Sequence, residues 1–483
     1  MPNQVRVRFA PSPTVFLHVG GLRTALYNYL FAKHNGGAFV LRIEDTDQSR
    51  RVEGALENLI ETLEWAGIHY DEGPDRSGDY GPYIQSERLD LYHRHVQQLV
   101  DRGHAYYCFC KPERLEEIRK KQFALKLAPS YDRHCRDFAR EESAKRVASG
   151  EPHVVRMKVP LEGDLTFEDL IRGSVTIAHK ILDDQVLLKS DKFPTYHLAV
   201  VVDDHLMNIS HVIRGEEWLP STPKHILLYQ YFEWEVPKFA HLPLLLNPDK
   251  SKLSKRQGDV AVEEYRTKGY LKEALVNFVA FLGWNPGDER EIFTLEELTK
   301  EFTMERVGKA GAVFNVDKLN WLNFQHLRRK PESEALNMLR ETLAALLPDV
   351  NHFDDAYLLS VISAMRERVM FMKEYVEKSG YFFQAPTVYD PAVVKKRWKP
   401  ESKAQLKRLA DEFGRLAHPD KDAYEAALRK TAEALKVEPS DLIHPLRLAV
   451  SGVGGGPGLF EILVILGKDE TIKRMMKATE TLP

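Results

Sequence analysis

The stretch from Arg6 to Gly21 constrains this chain most, because it runs an alternating strand into a loop and then into a helix. Val5, Val7 and Phe9 alternate with Arg6 and Arg8, the period of two that marks a strand. Pro11 and Pro13 end that strand. His18-Val19-Gly20-Gly21 then opens a helical run that places Leu22, Ala25, Leu26, Tyr29 and Leu30 on one face. After a Gly36-Gly37 turn a second strand passes through Phe39, Leu41 and Ile43 and closes on Glu44-Asp45-Thr46-Asp47. The unit reads as β-α-β, with two glycines and a histidine where the helix begins. A helix start aims free N–H groups and a partial positive charge at whatever sits there, which favours a phosphate. A nucleotide site is the expectation.

Neither common phosphate-loop pattern is present: there is no G-x-x-x-x-G-K-[ST], and no G-x-G-x-x-G follows a strand. The combined string Arg8-Phe9-Ala10-Pro11-Ser12-Pro13-Thr14, His18-Val19-Gly20-Gly21 and Arg42-Ile43-Glu44-Asp45-Thr46-Asp47 resembles instead the HIGH-signature, Rossmann-type aminoacyl-tRNA synthetases, the bacterial glutamyl-tRNA synthetases in particular. Lys252-Leu253-Ser254-Lys255-Arg256 is similar to that family's KMSKS loop, and Asp317-Lys318-Leu319-Asn320-Trp321 to another of its segments. The resemblance spans essentially the whole chain. It implies an α/β Rossmann-type catalytic core, an inserted α+β connective domain, and an all-α C-terminal anticodon-binding region.

The implied reaction is activation of L-glutamate by ATP to glutamyl-AMP and transfer to the 3′ end of tRNA-Glu, with adenylate formed only when tRNA is bound. Such chemistry needs no covalent nucleophile; it needs positioning and neutralisation of charge growing on phosphate oxygens. His18, Lys252 and Lys255 are the implied catalytic residues, two lysines three apart being able to approach a triphosphate as point charges. ATP is expected on His18, Gly20, Gly21 and Lys255, with Mg2+ bridging its phosphates. For glutamate the resemblance points to Arg8, Ser12, Glu44, Tyr196 and Arg214. Arg8 and Arg214 would fork onto the side-chain carboxylate, Glu44 would meet the α-ammonium, and Tyr196 and Ser12 would add hydrogen bonds. Taken alone, Arg8 reads as the polar face of a strand and Glu44 as a capping acid. Val15 departs from the family pattern, standing where glycine is usual.

At 483 residues the chain exceeds a single core. The expected division is residues 1–105 and 193–250 for the two halves of the catalytic core, 106–192 for the insertion, 251–327 for the KMSKS loop and a helical stem-contact domain, and 328–483 for the anticodon region. Helices are expected over 52–66 and 87–102, strands over 154–159 and 175–177. The apolar run 200–202, bounded by Asp203-Asp204, reads as a buried parallel strand. From Glu264 onward the pattern is almost wholly helical, with Leu271, Leu275, Phe278, Val279 and Leu282 on one face and a glycine cluster, Gly452 to Gly458, before a final pair. No apolar run approaches the ~20 residues of a membrane span, and the start lacks a signal-peptide pattern; a cytoplasmic monomer is expected. The net charge of −3 does not advertise a nucleic-acid binder. Basic runs at Arg119, Lys120, Lys121 and Lys126, and from Lys395 to Arg408, read as solvated helix faces or as phosphate-binding stripes.

Cys108, Cys110 and Cys135 are the only cysteines. An odd number in a leaderless chain argues against a disulfide framework and suggests a Zn2+ site, with His134 or Asp137 as fourth ligand; inert buried thiols are the alternative. Many bacterial glutamyl enzymes bind zinc through C-x-C…C-x-H, and here Asp137 stands in the histidine's place. Two further readings stay open for the whole chain: a catalytically inactive tRNA-binding paralogue, and a tRNA-modifying relative that attaches glutamate to a base.

Overall fold

The computed structural model describes residues 4–50, 52–253, 261–348 and 353–483. Its strands in chain order are β1 (Arg6–Phe9), β2 (Ala38–Leu41), β3 (Ala105–Cys108), β4 (Val154–Met157), β5 (Asp164–Asp169), β6 (Gly173–Ala178), β7 (Val186–Leu188), β8 (His211–Gly215), β9 (Lys238–Leu242), β10 (Leu245–Leu246) and β11 (Ala312–Val313). Contacts divide the chain into two compact units, Met1–Lys268 with Lys272–Lys318, and Gly269–Leu271 with Leu319–Pro483.

In the first unit β1 and β2 pair in parallel, Arg6 opposite Ala38 through Phe9 opposite Leu41, with the helix Val19–His34 as the crossover. β1 has no exposed polar face: all four residues, Arg6 and Arg8 included, are buried. A parallel sheet is covered on both sides, so its arginines must find anions inside. Arg6 pairs with Glu72 at 2.8 Å and Arg8 with Asp204 at 3.0 Å. A second sheet runs β6-β5-β9-β8, with β8 and β9 parallel. The Ser210 N–H donates to the Arg6 carbonyl at 3.0 Å and brings β1 alongside the start of β8. Beyond the sheets, Tyr27 Oη donates to the Ala280 carbonyl at 2.9 Å, fixing the crossover helix against the helix Lys272–Ala280.

The run around 200–202 is not a strand. Tyr196–Leu206 is a helix in which every residue from Leu198 to Asp204 is buried. Burial all round removes the amphipathic period, so a short valine-rich run cannot be told from a strand by pattern alone. Arginines packed against its two acids favour the helix, overriding the β preference of valine. The buried strand of this half is β8, a few residues later. The helices expected over 52–66 and 87–102 are Ala55–Trp65 and Leu89–Asp101. Between them and Tyr196, β3-β4-β7 form a separate antiparallel sheet, while β5 and β6 join the sheet of β8 and β9.

The second unit is helical throughout its described residues. Leu406, Leu409, Phe413, Leu428, Leu446, Ile462 and Met475 build its core. Helix Pro439–Ser451 stops at Gly452, whose φ of 76° is the left-handed cap glycine supplies without strain. Leu459–Leu466 and Lys468–Thr481 follow as the final pair. Among the described residues no helix is long and apolar enough to cross a membrane.

Candidate active site

A cavity of about 1000 Å³ opens at the carboxyl ends of β1 and β8, where parallel sheets present ligand sites. Its walls include His18, Gly20 and Gly21 on one side and Arg8, Ser12, Glu44, Tyr196 and Arg214 on the other, with Lys252 at the rim. Residues spread over more than 240 positions of sequence thus share one site.

The phosphate-binding half rests on the start of helix Val19–His34. His18 is its N-cap, and Nδ1 accepts the Gly21 N–H at 3.0 Å. That bond fixes the tautomer: Nδ1 is the acceptor, so Nε2 carries the proton and is a donor. No acid sits in the first turn to compete for the positive end of the helix. A Cβ at Gly20 would stand 3.0 Å from His18 Cε1, so glycine there lets the imidazole lie close over the helix start. Val15 is not among the described residues with positive φ, so its branched side chain sits there unstrained at the cavity edge.

Lys252 forms an antiparallel bridge with Leu246. Lys255, with Ser254 and Arg256, lies outside the described residues. Both flanks of that loop are tied to the site. The Leu253 N–H donates to Leu245 at 2.9 Å on one side. On the other, Val262 donates to Leu17 at 2.9 Å and Ala261 bridges His18.

The other half is organised by electrostatics. Arg8 holds Asp204 with two bonds, Nε to Oδ1 at 3.0 Å and Nη2 to Oδ2 at 3.2 Å. Arg42 reaches Asp204 at 2.7 Å, Glu44 at 3.1 Å and Asp203 at 3.7 Å, and Arg88 reaches Asp203 at 2.8 Å. Three arginines therefore balance three carboxylates. Burial pushes Glu44 upward in pKa, with Arg42 and Arg8 opposing; burial would also raise Asp204, but Arg8 and Arg42 hold it below the ordinary range. Arg214 differs. Its donors go to His241 Nε2 (3.1 Å), Tyr196 Oη (3.1 Å), His225 Nδ1 (3.2 Å) and Thr222 Oγ1 (2.8 Å), with a longer one to the Trp218 carbonyl. Every partner is uncharged, and among the described residues no carboxylate pairs with it. Arg214 thus offers a buried, uncompensated positive charge to an anion entering the cavity. The sequence reading missed Asp203, Asp204, Asp169, His225, His241 and Thr222. Their partners lie up to 196 positions away, and only the acid pair closing an apolar run was a visible signal.

The cysteines gather as expected. Their sulfurs lie within 4.8 Å of one another, Cys110 and Cys135 at 3.6 Å, a spacing that fits thiolates at ~2.3 Å around one Zn2+. Asp137 is not with them: its side chain is 87% exposed and lies 3.8 Å from Lys158. Set on a turn past Cys135, it points to solvent and cannot be the fourth ligand. Tyr131 stands beside the sulfurs instead, its Oη 3.3 Å from both Cys108 and Cys110. A hydrogen bond from Cys135 holds the Cys108 thiol well below its ordinary pKa against the effect of burial.

Residues 4–321 match the family described as tRNA synthetases class I (E and Q), catalytic domain, and residues 334–479 match the anticodon binding domain family. A glutamate–tRNA ligase of Chloroherpeton thalassium is 53% identical over 493 residues, covering 99% of this chain and 98% of the relative. One from Chlorobaculum parvum is 53% identical over 499 residues, again with 99% and 98% covered. The crystal structure of a glutamate tRNA ligase from Elizabethkingia meningosepticum, in complex with its amino acid, superposes with a TM-score of 0.94 at 41% identity over 100% of both chains. A glutamate–tRNA synthetase from Elizabethkingia anophelis gives 0.90 at 40%, covering 99% of this chain and 100% of its own.

Proposed function

The chain belongs to the class I (E and Q) tRNA synthetases, and we propose that the cavity described above houses both steps of its glutamate–tRNA ligase reaction. The observation that carries the residue assignment is the cavity that sets an anion-binding helix start beside the Arg214 guanidinium, whose hydrogen-bond partners are all neutral, and a buried carboxylate. Glutamate lies with its side-chain carboxylate on Arg214 and its α-ammonium at Glu44, with Arg8, Ser12 and Tyr196 lining the walls. Its α-carboxylate then attacks the α-phosphorus of ATP and pyrophosphate leaves. His18 Nε2, the Gly20 N–H, Lys252 and Lys255 stabilise the charge growing on the phosphate oxygens, each donor being worth on the order of 10²–10³ in rate, while the Gly21 N–H orients His18. Mg2+ arrives with the nucleotide and shields its phosphates. The terminal ribose hydroxyl of tRNA-Glu attacks the glutamyl carbonyl, and AMP leaves.

The same reading assigns residues 1–105 and 193–250 to the catalytic core, 106–192 to the acceptor end of tRNA, 251–327 to the loop and stem contact, and 328–483 to the anticodon. It places a cytoplasmic monomer in solution. Zn2+ would be held by Cys108, Cys110 and Cys135 with Tyr131 Oη in fourth place, tying the ends of that sulfur cluster together without entering the reaction.

The test is charging with glutamate, ATP and either intact tRNA-Glu or tRNA-Glu whose 3′ end has been oxidised by periodate. Intact tRNA is charged and oxidised tRNA is not. Labelling of oxidised tRNA would mean a base-modifying transferase, and tRNA binding with no charging would mean an inactive paralogue. A parallel assay with tRNA-Gln reads whether that tRNA is also a substrate.

A further inference from the structure

Arg214 is held from behind by a chain of side chains that does not enter the cavity. His241, fully buried on β9, sits between Arg214 and Asp169 at the end of β5. Its Nδ1 lies 2.6 Å from Asp169 Oδ2, and its Nε2 accepts from Arg214 Nε at 3.1 Å. Asp169 Oδ1 accepts the backbone N–H groups of Ile171 and Arg172 at 3.0 and 2.8 Å, which locks the carboxylate in place. On the far side His225 Nδ1 accepts from Arg214 Nη1 at 3.2 Å, and His225 Nε2 meets His197 Nδ1 at 3.0 Å.

Both imidazoles facing Arg214 must therefore act as acceptors, and each can do so in one tautomer only. Burial holds His241 and His225 neutral, as two imidazoliums against a guanidinium would not be. His241 has its proton on Nδ1, where the Asp169 carboxylate accepts it, leaving the Nε2 lone pair for Arg214. Burial alone would raise the pKa of Asp169, but the bonds from His241 and from the Arg172 and Ile171 backbone N–H groups keep it ionised.

We propose that Asp169 and His241 are positioning residues for substrate selectivity: Asp169 sets the His241 tautomer, and His241 then aims Arg214 at the acidic side chain of the amino acid. The proposal rests on Arg214 reading that carboxylate. An aspartate that never touches substrate thereby controls the choice between a charged carboxylate and a neutral amide. It lies on a strand that pairs in parallel with β9 through Asp169 opposite Phe239.

Asp169→Asn separates this role from simple structure. The asparagine oxygen still serves the Ile171 and Arg172 N–H groups, while its NH2 turns toward His241 Nδ1. His241 must then carry its proton on Nε2, where Thr222 Oγ1 at 3.1 Å can take it but the Arg214 Nε–H loses its acceptor. Expected for full-length protein are a KM for glutamate raised 10- to 100-fold, KM values for ATP and tRNA within about threefold, and a smaller glutamate-over-glutamine preference. Imidazole 15N resonances should show the His241 proton moving from Nδ1 to Nε2. His241→Gln, whose side-chain oxygen can accept from Arg214, should keep most of the selectivity that His241→Asn loses. Arg214→Ala is the control for the underlying reading: if it leaves the glutamate KM and the preference unchanged, the pocket assignment fails. If Arg214→Ala destroys selectivity while folded Asp169→Asn retains it, the tautomer proposal fails and the pocket stands. Should Asp169→Asn not fold, the His241 pair decides, and equal selectivity in its Gln and Asn variants overturns the proposal.

Discussion

Arg8 and Arg214 look alike in the sequence and do different work in the fold. Arg8 belongs to a buried network whose three positive and three negative groups already balance; Arg214 is surrounded by neutral acceptors. Removing Arg8 leaves Asp204 with Arg42 as its remaining ion-pair partner, a loss near the lower end of the ~3–5 kcal/mol seen when a buried pair is broken. Removing Arg214 strands no buried ion and costs only hydrogen bonds, about 1–3 kcal/mol. Arg8→Ala is therefore expected to lower the melting temperature more than Arg214→Ala, and Arg214→Ala to cost more glutamate-over-glutamine discrimination, on the order of 10²-fold or greater. Thermal unfolding and competitive charging measure the two orders; their reversal would refute this division of labour.

At the scale of elements, the cysteine site sits where β3 ends, joining that strand to the Tyr131–Cys135 turn. Four sulfur and oxygen atoms drawn from short segments have little core beneath them: helix Pro112–Ala124, which follows Cys110, buries no residue. Metal-binding energy in so small a region acts as folding energy. Protein purified without chelator should hold about one zinc per chain. Cys110→Ser should release it, and Tyr131→Phe should weaken it while Asp137→Ala changes nothing. Metal analysis of the three variants, with hydrogen exchange over β3 and β4, reads this out. Active wild-type protein without zinc would leave the sulfurs as buried thiols.

The whole molecule carries two cores, and the second is helical over the region that matches an anticodon-binding domain. Deleting residues 329–483 should leave a folded first unit that binds ATP, because domains with their own cores fold separately. Gly269–Leu271 belongs to the second unit, where Tyr270 packs on Phe371 at 4.9 Å, so the cut also removes that segment's partner. tRNA affinity should fall together with part of its salt dependence, as exposed cations such as Lys395, Lys396 and Lys407 no longer displace counterions. If adenylate forms only with tRNA bound, activation falls as well. Charging of tRNA-Glu with altered anticodons checks the assignment: a full-length protein indifferent to those changes does not read the anticodon with this region.

Local pattern alone determined the first β-α-β unit, the histidine and glycines at its helix start, the clustering of three cysteines, and the helical second half. Each rests on residues close in sequence, where period and turn chemistry act directly. Tertiary structure alone decided that residues 196–206 form a helix rather than a strand, that Asp137 faces solvent while Tyr131 joins the sulfurs, and that Arg8 pairs with Asp204 whereas Arg214 meets only neutral partners. Those outcomes depend on which buried groups meet in space, across as many as 196 positions for Arg8 and Asp204. A buried charge or hydrogen bond is fixed by its partner's place in space, and no local period records that.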